Sequence, residues 1–147
     1  MPADSTEVKV RRGSCLCGAV KYEVQGEPFK FMTCHCVNCR KATGSAFMSN
    51  GFFARNQFRL VLGQDKIKVF VDKTTTSGVT LNRQFCMECG SNVVLLSNDL
   101  EKNKQYITVA LGTLDDDMQW LPLGEFFPEQ RRHWVMGIHK EEEKAKL

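Results

Sequence analysis

Seven cysteines fall in three groups along the 147 residues: Cys15 and Cys17, then Cys34, Cys36 and Cys39, then Cys86 and Cys89. A structural zinc is almost always closed by four protein ligands, whereas a catalytic zinc keeps three and leaves one position to water or substrate. Four plus three is what one site of each kind requires, and the odd total points to chemistry. The first twelve residues, MPADSTEVKVRR, lack the apolar run of a secretory signal. The cysteines are therefore expected to face the reducing cytosol or nucleus, where disulfides are rare and metal ligation is the default use of thiols.

An apolar fraction of 42% and a charged fraction of 25% are ordinary for a globular chain, and no apolar stretch is long enough to span a bilayer. No membrane partner is expected. The formal charge of +3 invites a nucleic-acid reading. Ligating cysteines are thiolates, however, and seven of them with two zinc ions bring the total to about zero, so a nucleic-acid partner is not indicated. The chain divides into an N-terminal extension (1–12), one zinc domain (13–136) and a charged tail (137–147). The tail's KEEEKAKL has almost nothing to bury and reads as a frayed or solvated end.

Short runs rich in β-branched and aromatic residues recur: AVKYEV at 19–24, AFMSNGFF at 46–53, FRLVL at 58–62, IKVFV at 67–71, NVVLL at 92–96 and QYITVAL at 105–111. They predict a mainly β domain. Alternation over 66–71 puts Ile67, Val69 and Val71 on one face. Only Cys36 to Thr43 reads as a helical turn, and no βαβ rhythm is present.

Side chains at i and i+2 of a strand share a face, so CLC (15–17) and CHC (34–36), read as strand, each make a two-sulfur half-site. CMECG (86–90) is a turn-type pair, with Gly90 free to take a positive φ. Joined to Cys15 and Cys17, it would form a four-cysteine structural site. The CHCVNC run offers three sulfurs within six residues. Either its zinc is open, acting as a Lewis acid and lowering the pKa of a bound thiol, or His35, His133 or another residue closes it. His35 is the poorer candidate, because between two cysteines on one face it points to the other.

Taken in order, GSCLCGAVKYEV, CHCVNCRKATGSAF, FCMECGS and GTLDD resemble the glutathione-dependent formaldehyde-activating family, also called the centromere protein V family. The resemblance spans about residues 13–120 and implies a β-tent, twisted antiparallel sheets gathered around zinc. It implies a structural zinc on Cys15, Cys17, Cys86 and Cys89, and a catalytic zinc on Cys34, Cys36 and Cys39. The implied activity is a carbon–sulfur lyase that condenses formaldehyde with glutathione to S-hydroxymethylglutathione. The partners would then be a small thiol and a small electrophile. A non-catalytic interaction module of the centromere protein V type is the alternative. It would draw on a basic extension, and this chain has about a dozen residues ahead of GSCLCG.

One stretch departs from the family pattern. LPLGEFFPEQ carries Glu125 and Phe126 where a histidine is expected, and a carboxylate there would repel glutathione's own. Among other candidates, Arg40 and Lys41 could receive a substrate carboxylate or be a solvated pair. Gly44 and Ser45 fit a close approach to the metal loop or an ordinary turn. Phe47, Phe52 and Phe53 read as core more than pocket wall, Asp115 to Asp117 as a capped turn, and Trp120 and Trp134 as packing residues.

Overall fold

The apolar runs pair into two sheets in the computed structural model, which describes residues 7–136. The strands are β1 (Val10–Ser14), β2 (Lys21–Gln25), β3 (Lys30–Cys34), β4 (Met48–Ala54), β5 (Phe58–Leu62), β6 (Ile67–Asp72), β7 (Leu81–Cys86), β8 (Asn92–Ser97), β9 (Tyr106–Ala110) and β10 (Gly124–Phe126). A small sheet has the order β1-β2-β5 and a large one β10-β3-β4-β9-β8-β7-β6. The mainly β class is the expected one. One pairing departs from an all-antiparallel arrangement: β10 runs parallel to β3, with Glu125 opposite Thr33. β1 takes in residues 10–12, which the sequence division assigns to the extension, and the charged tail at 137–147 lies outside the described residues.

The central strands β8 and β9 of the large sheet are covered on both faces, which explains why NVVLL is a continuous apolar run rather than an alternating one. Val93 through Ser97 of β8 and Ile107 through Ala110 of β9 are all buried. Toward the small sheet, Phe53, Val94, Ile107 and Val109 pack with Val20, Tyr22 and Val24. Each such side chain contributes roughly 1.5–3 kcal/mol by leaving water. Toward the other face, Leu95 and Ala110 pack with Met48 and with Cys34, Cys36 and Cys39. The pleat thus sorts alternate residues between a structural core and the cysteine triad.

Two helices occur. The expected turn is α1 (Val37–Thr43), for which Cys36 is the N-cap. The second, α2 (Leu100–Gln105), is a correction to the sequence reading, and its start is encoded by Asp99, whose carboxylate caps the N–H groups of Glu101 and Lys102. β6 is a strand as expected, but it is the edge of its sheet. Val69, Phe70 and Val71 are all exposed, and its buried residue is Asp72.

Candidate functional site

The four cysteines of the outer two groups meet where the small sheet joins the large one. Cys15 and Cys17 follow β1, Cys86 ends β7 and Cys89 follows it. Their sulfurs all lie within 4.8 Å of one another, with Cys15 to Cys17 at 3.6 Å and Cys17 to Cys86 at 3.8 Å. Four sulfurs around a tetrahedral zinc at about 2.3 Å are separated by about 3.8 Å, so the donor set fits zinc. CLC is not a strand, as the sequence suggested. It is a tight turn in which the Gly18 N–H donates to the Cys15 carbonyl at 3.0 Å, and Gly18 takes φ 78°. Gly90 takes the same φ after the second knuckle, where its N–H donates to the Cys86 carbonyl at 2.8 Å. The shared CxnCG ending was the sequence signal for this: each pair is closed by a glycine in the left-handed region.

The second group is assembled differently. Cys34 is the last residue of β3, Cys36 caps α1 and accepts the Cys39 N–H on its sulfur at 3.3 Å, and Cys39 lies in the helix's first turn. All three are buried, their sulfurs lie within 4.8 Å of one another, and among the described residues no histidine or carboxylate joins them. Cys34, hydrogen-bonded to Cys39, holds the Cys39 thiol down at about 6, and the Arg83 guanidinium helps. Cys34 itself is pushed far up, by Cys39 and then by burial. Three soft donors in this arrangement suit zinc with one position left over.

The triad lies against a cavity of about 270 Å³ on the face of the large sheet that looks away from the small one. The pleat supplies its walls: Asn50 and Phe52 from β4, Leu81 and Arg83 from β7, Leu95 and Ser97 from β8, Tyr106 and Thr108 from β9. Phe126 and Phe127 close one side, and Thr75 to Ser77 with Val79 another. Phe52 is therefore a pocket residue, against the expectation of core. Phe53 is core at 0% exposure.

Sequence reasoning missed a chain of buried polar groups beside the triad. Arg83 Nε donates to Asp72 Oδ2 at 2.7 Å, and both residues are buried. Asn38, between Cys36 and Cys39, donates to both oxygens of Asp72, at 2.8 and 3.0 Å, and the Thr74 backbone adds a bond at 3.1 Å. Burial acts to raise the Asp72 pKa, but these hydrogen bonds prevail and hold it below the usual carboxylate value.

Glu125 is the main correction to the sequence reading. Its carboxylate does not stand free to repel a substrate. Oε1 accepts from His35 Nε2 at 2.9 Å, and Oε2 accepts from Arg131 Nη2. Burial opposes its ionisation, yet these partners hold its pKa below the ordinary value. His35 does turn away from the sulfurs, and the acceptor on its far side is this glutamate, aligned by the parallel β3–β10 pairing. Glu125→Ala leaves the buried imidazole without that partner, an expected loss of about 1–3 kcal/mol readable in a thermal melt, whereas Glu125→Gln, which keeps an acceptor for His35, is expected to lose less.

The remaining candidates lie elsewhere. Arg40, Lys41, Gly44 and Ser45 do not line the cavity. Gly44 ends α1, its N–H donating to the Arg40 carbonyl at 2.8 Å. Ser45 and Phe47 line a separate surface hollow with Ser91 and Asn92. Asp115 and Asp116 anchor β1, accepting from Ser14 Oγ at 2.7 Å and the Arg12 N–H at 2.6 Å. Trp120 packs on Phe53 and under the Arg11 guanidinium, but Trp134 is exposed, against its reading as a packing residue.

A mainly β domain with a four-cysteine group at a sheet junction and a three-cysteine group on a cavity wall defines a class of protein, a domain with two cysteine clusters that could each hold a metal ion. The chain belongs to the glutathione-dependent formaldehyde-activating enzyme family, whose model matches residues 10–130. A Halomonas elongata protein with the provisional name glutathione-dependent formaldehyde-activating enzyme is 31% identical over 83 residues, 54% of this chain. The match spans about half of that relative's length, 51%. A crystal structure of a Rhodobacter sphaeroides protein shares the fold, with a TM-score of 0.55 and 23% identity over 74% of this chain and 91% of the other.

Proposed function

We propose that the protein is a zinc-dependent carbon–sulfur lyase that adds a small thiol such as glutathione to an electrophilic carbon, or removes it, in the manner of an S-hydroxymethylglutathione synthase. One observation carries this reading: three buried sulfurs share a cavity wall with no fourth side-chain ligand among the described residues. Cys34, Cys36 and Cys39 would hold the catalytic zinc, and Cys15, Cys17, Cys86 and Cys89 the structural one. When bound in the triad, zinc supplies a Lewis acid that favours the ionised form of a thiol.

The chain's own groups supply the rest. Phe52, Leu81, Leu95 and Phe126 exclude water from the reacting atoms, which strengthens every polar interaction inside. Arg83, oriented by Asp72, places a positive charge beside the sulfurs. Holding thiol and carbonyl in one cavity converts an encounter of two molecules into a reaction within one complex. The thiol loses its proton, sulfur bonds to the carbonyl carbon, and the carbonyl's π pair takes a proton to become a hydroxyl. Seven free thiols suit a reducing compartment such as the cytosol. No helix of the described residues is long and apolar enough to cross a membrane.

Cys39→Ser tests the reading. Elemental analysis is expected to give about two zinc ions in the wild type and about one in the variant, with the fold retained. Exchange spectroscopy of labelled formaldehyde with glutathione is expected to show faster interconversion with the wild type than with Cys39→Ser. Equal rates would remove formaldehyde activation. An unfolded variant would make the second site structural.

A further inference from the structure

We propose that the cavity is built for an uncharged carbonyl compound with an aromatic or branched aliphatic body, so that the preferred electrophile is an apolar aldehyde rather than formaldehyde. The inference rests on the thiol-addition reading above and names the substrate class of that site. Its first support is the character of the walls. With Phe52, Leu81, Leu95, Tyr106, Phe126 and Phe127 among the walls the lining is mostly apolar, and Arg83 is the single charged side chain among the lining residues. That charge is already matched by Asp72. Glutathione carries two carboxylates and an ammonium, and the lining has no acid for the ammonium and no second cation for the carboxylates. Burying those groups unpaired is costly, so the charged parts of a thiol of that kind belong outside the cavity.

Size is the second support. An apolar protein cavity of about 150 Å³ is large enough to take up benzene, and this one is about 270 Å³. Formaldehyde, with two heavy atoms, would leave most of that volume without contacts. A phenyl or isobutyl group would occupy roughly half of it or less, and packing against Phe52, Leu95 and Phe126 would fix the carbonyl carbon relative to the sulfurs.

A polar feature lies beneath the lining. Two buried atoms of lining residues have no hydrogen-bond partner: Asn50 Oδ1, an acceptor, and Arg83 Nη1, a donor. Asn50 is 6% exposed and Arg83 4%. Both atoms are closed to water, so a carbonyl or hydroxyl group in the cavity would meet them only after the lining side chains shift. The balanced reaction joins RCHO and R′SH as RCH(OH)SR′: the S–H bond breaks, the C–S bond forms, and the proton ends on the former carbonyl oxygen. An aldehyde with an apolar R group therefore answers the walls and the volume.

Two measurements on the zinc-loaded protein test this. In saturation-transfer NMR, benzyl alcohol, an unreactive probe, is expected to receive signal from the wild type and less from Val79→Asp, which puts a carboxylate on the cavity rim. In exchange spectroscopy with glutathione, phenylacetaldehyde is expected to be accelerated at least about tenfold more than formaldehyde, with benzyl alcohol competing. Formaldehyde accelerated as much as phenylacetaldehyde, or benzyl alcohol without signal, overturns the inference and leaves thiol addition standing. Acceleration of neither aldehyde overturns both.

Discussion

Cys86→Ser is expected to abolish the cooperative folded state rather than weaken it. Cys86 is 0% exposed, ends β7 and belongs to the main core cluster together with Cys15. Its sulfur stands 3.8 Å from that of Cys17, which arrives from the small sheet. The four-sulfur group thus ties the two sheets at the point where β1 leaves one and β7 leaves the other. Structural zinc in small domains contributes an apparent ~10–16 kcal/mol of binding free energy at neutral pH, against a total stability of about 5–15 kcal/mol for a typical domain. Serine is a poor zinc ligand and a polar intruder at a fully buried position, so the loss cannot be absorbed. Circular dichroism during a urea titration is expected to show no sigmoidal transition for the variant, and zinc analysis less than one ion per chain. Strong chelation of the wild type should give the same spectrum. A cooperative transition in Cys86→Ser near the wild-type midpoint would show that the two sheets hold together without this staple.

The contrast between the two cysteine groups shows what the sequence could carry. Local spacing gives groups of two, three and two, because ligands two or three residues apart converge whatever the fold. The joining of Cys15 and Cys17 to Cys86 and Cys89, 69 residues apart for Cys17 and Cys86, came from the family resemblance. The strand readings followed from β-branched and aromatic content, and NVVLL and QYITVAL became the doubly buried β8 and β9. Local geometry was misjudged where glycine decided it: Gly18 turns CLC into a knuckle, and an alternation rule has no term for a positive φ. The polar groups around the triad were illegible for a different reason. Asp72 meets Arg83 because the β6–β7 register sets Phe70 opposite Arg83 and Asp72 opposite Leu81, a diagonal pair on one face. Glu125 meets His35 because β10 pairs parallel to β3 across a separation of 90 residues. No residue pattern announces either contact, so Glu125 read from sequence was an unpaired charge and Arg83 one more basic residue.

Asp72→Asn is expected to be the most damaging substitution away from the cysteines. Asp72 and Arg83 are 2% and 4% exposed, and breaking a buried pair by neutralising one member leaves the other charge uncompensated, a loss of roughly 3–5 kcal/mol. The chain of contacts gives the substitution a second consequence. Asn38 lies between Cys36 and Cys39 and is held by both Asp72 oxygens, so loosening that anchor frees the first turn of α1 and with it two of the three triad sulfurs. Zinc affinity at the triad, measured by chelator competition, is therefore expected to fall about 10- to 100-fold, the usual effect of losing the groups that orient metal ligands. The pH dependence has a definite sign. The folded-state pKa of Asp72 is depressed, so its contribution to stability is present above the unfolded carboxylate value of about 4 and is lost as pH falls through the depressed value. Wild type and Asp72→Asn should accordingly differ in urea midpoint at neutral pH and converge in acid. A double substitution, Asp72→Asn with Arg83→Met, removes the stranded charge and is expected to recover much of the stability while leaving zinc affinity low, since Asn38 regains no carboxylate. Recovery of both together would place the whole effect in the ion pair and none in the anchoring of α1.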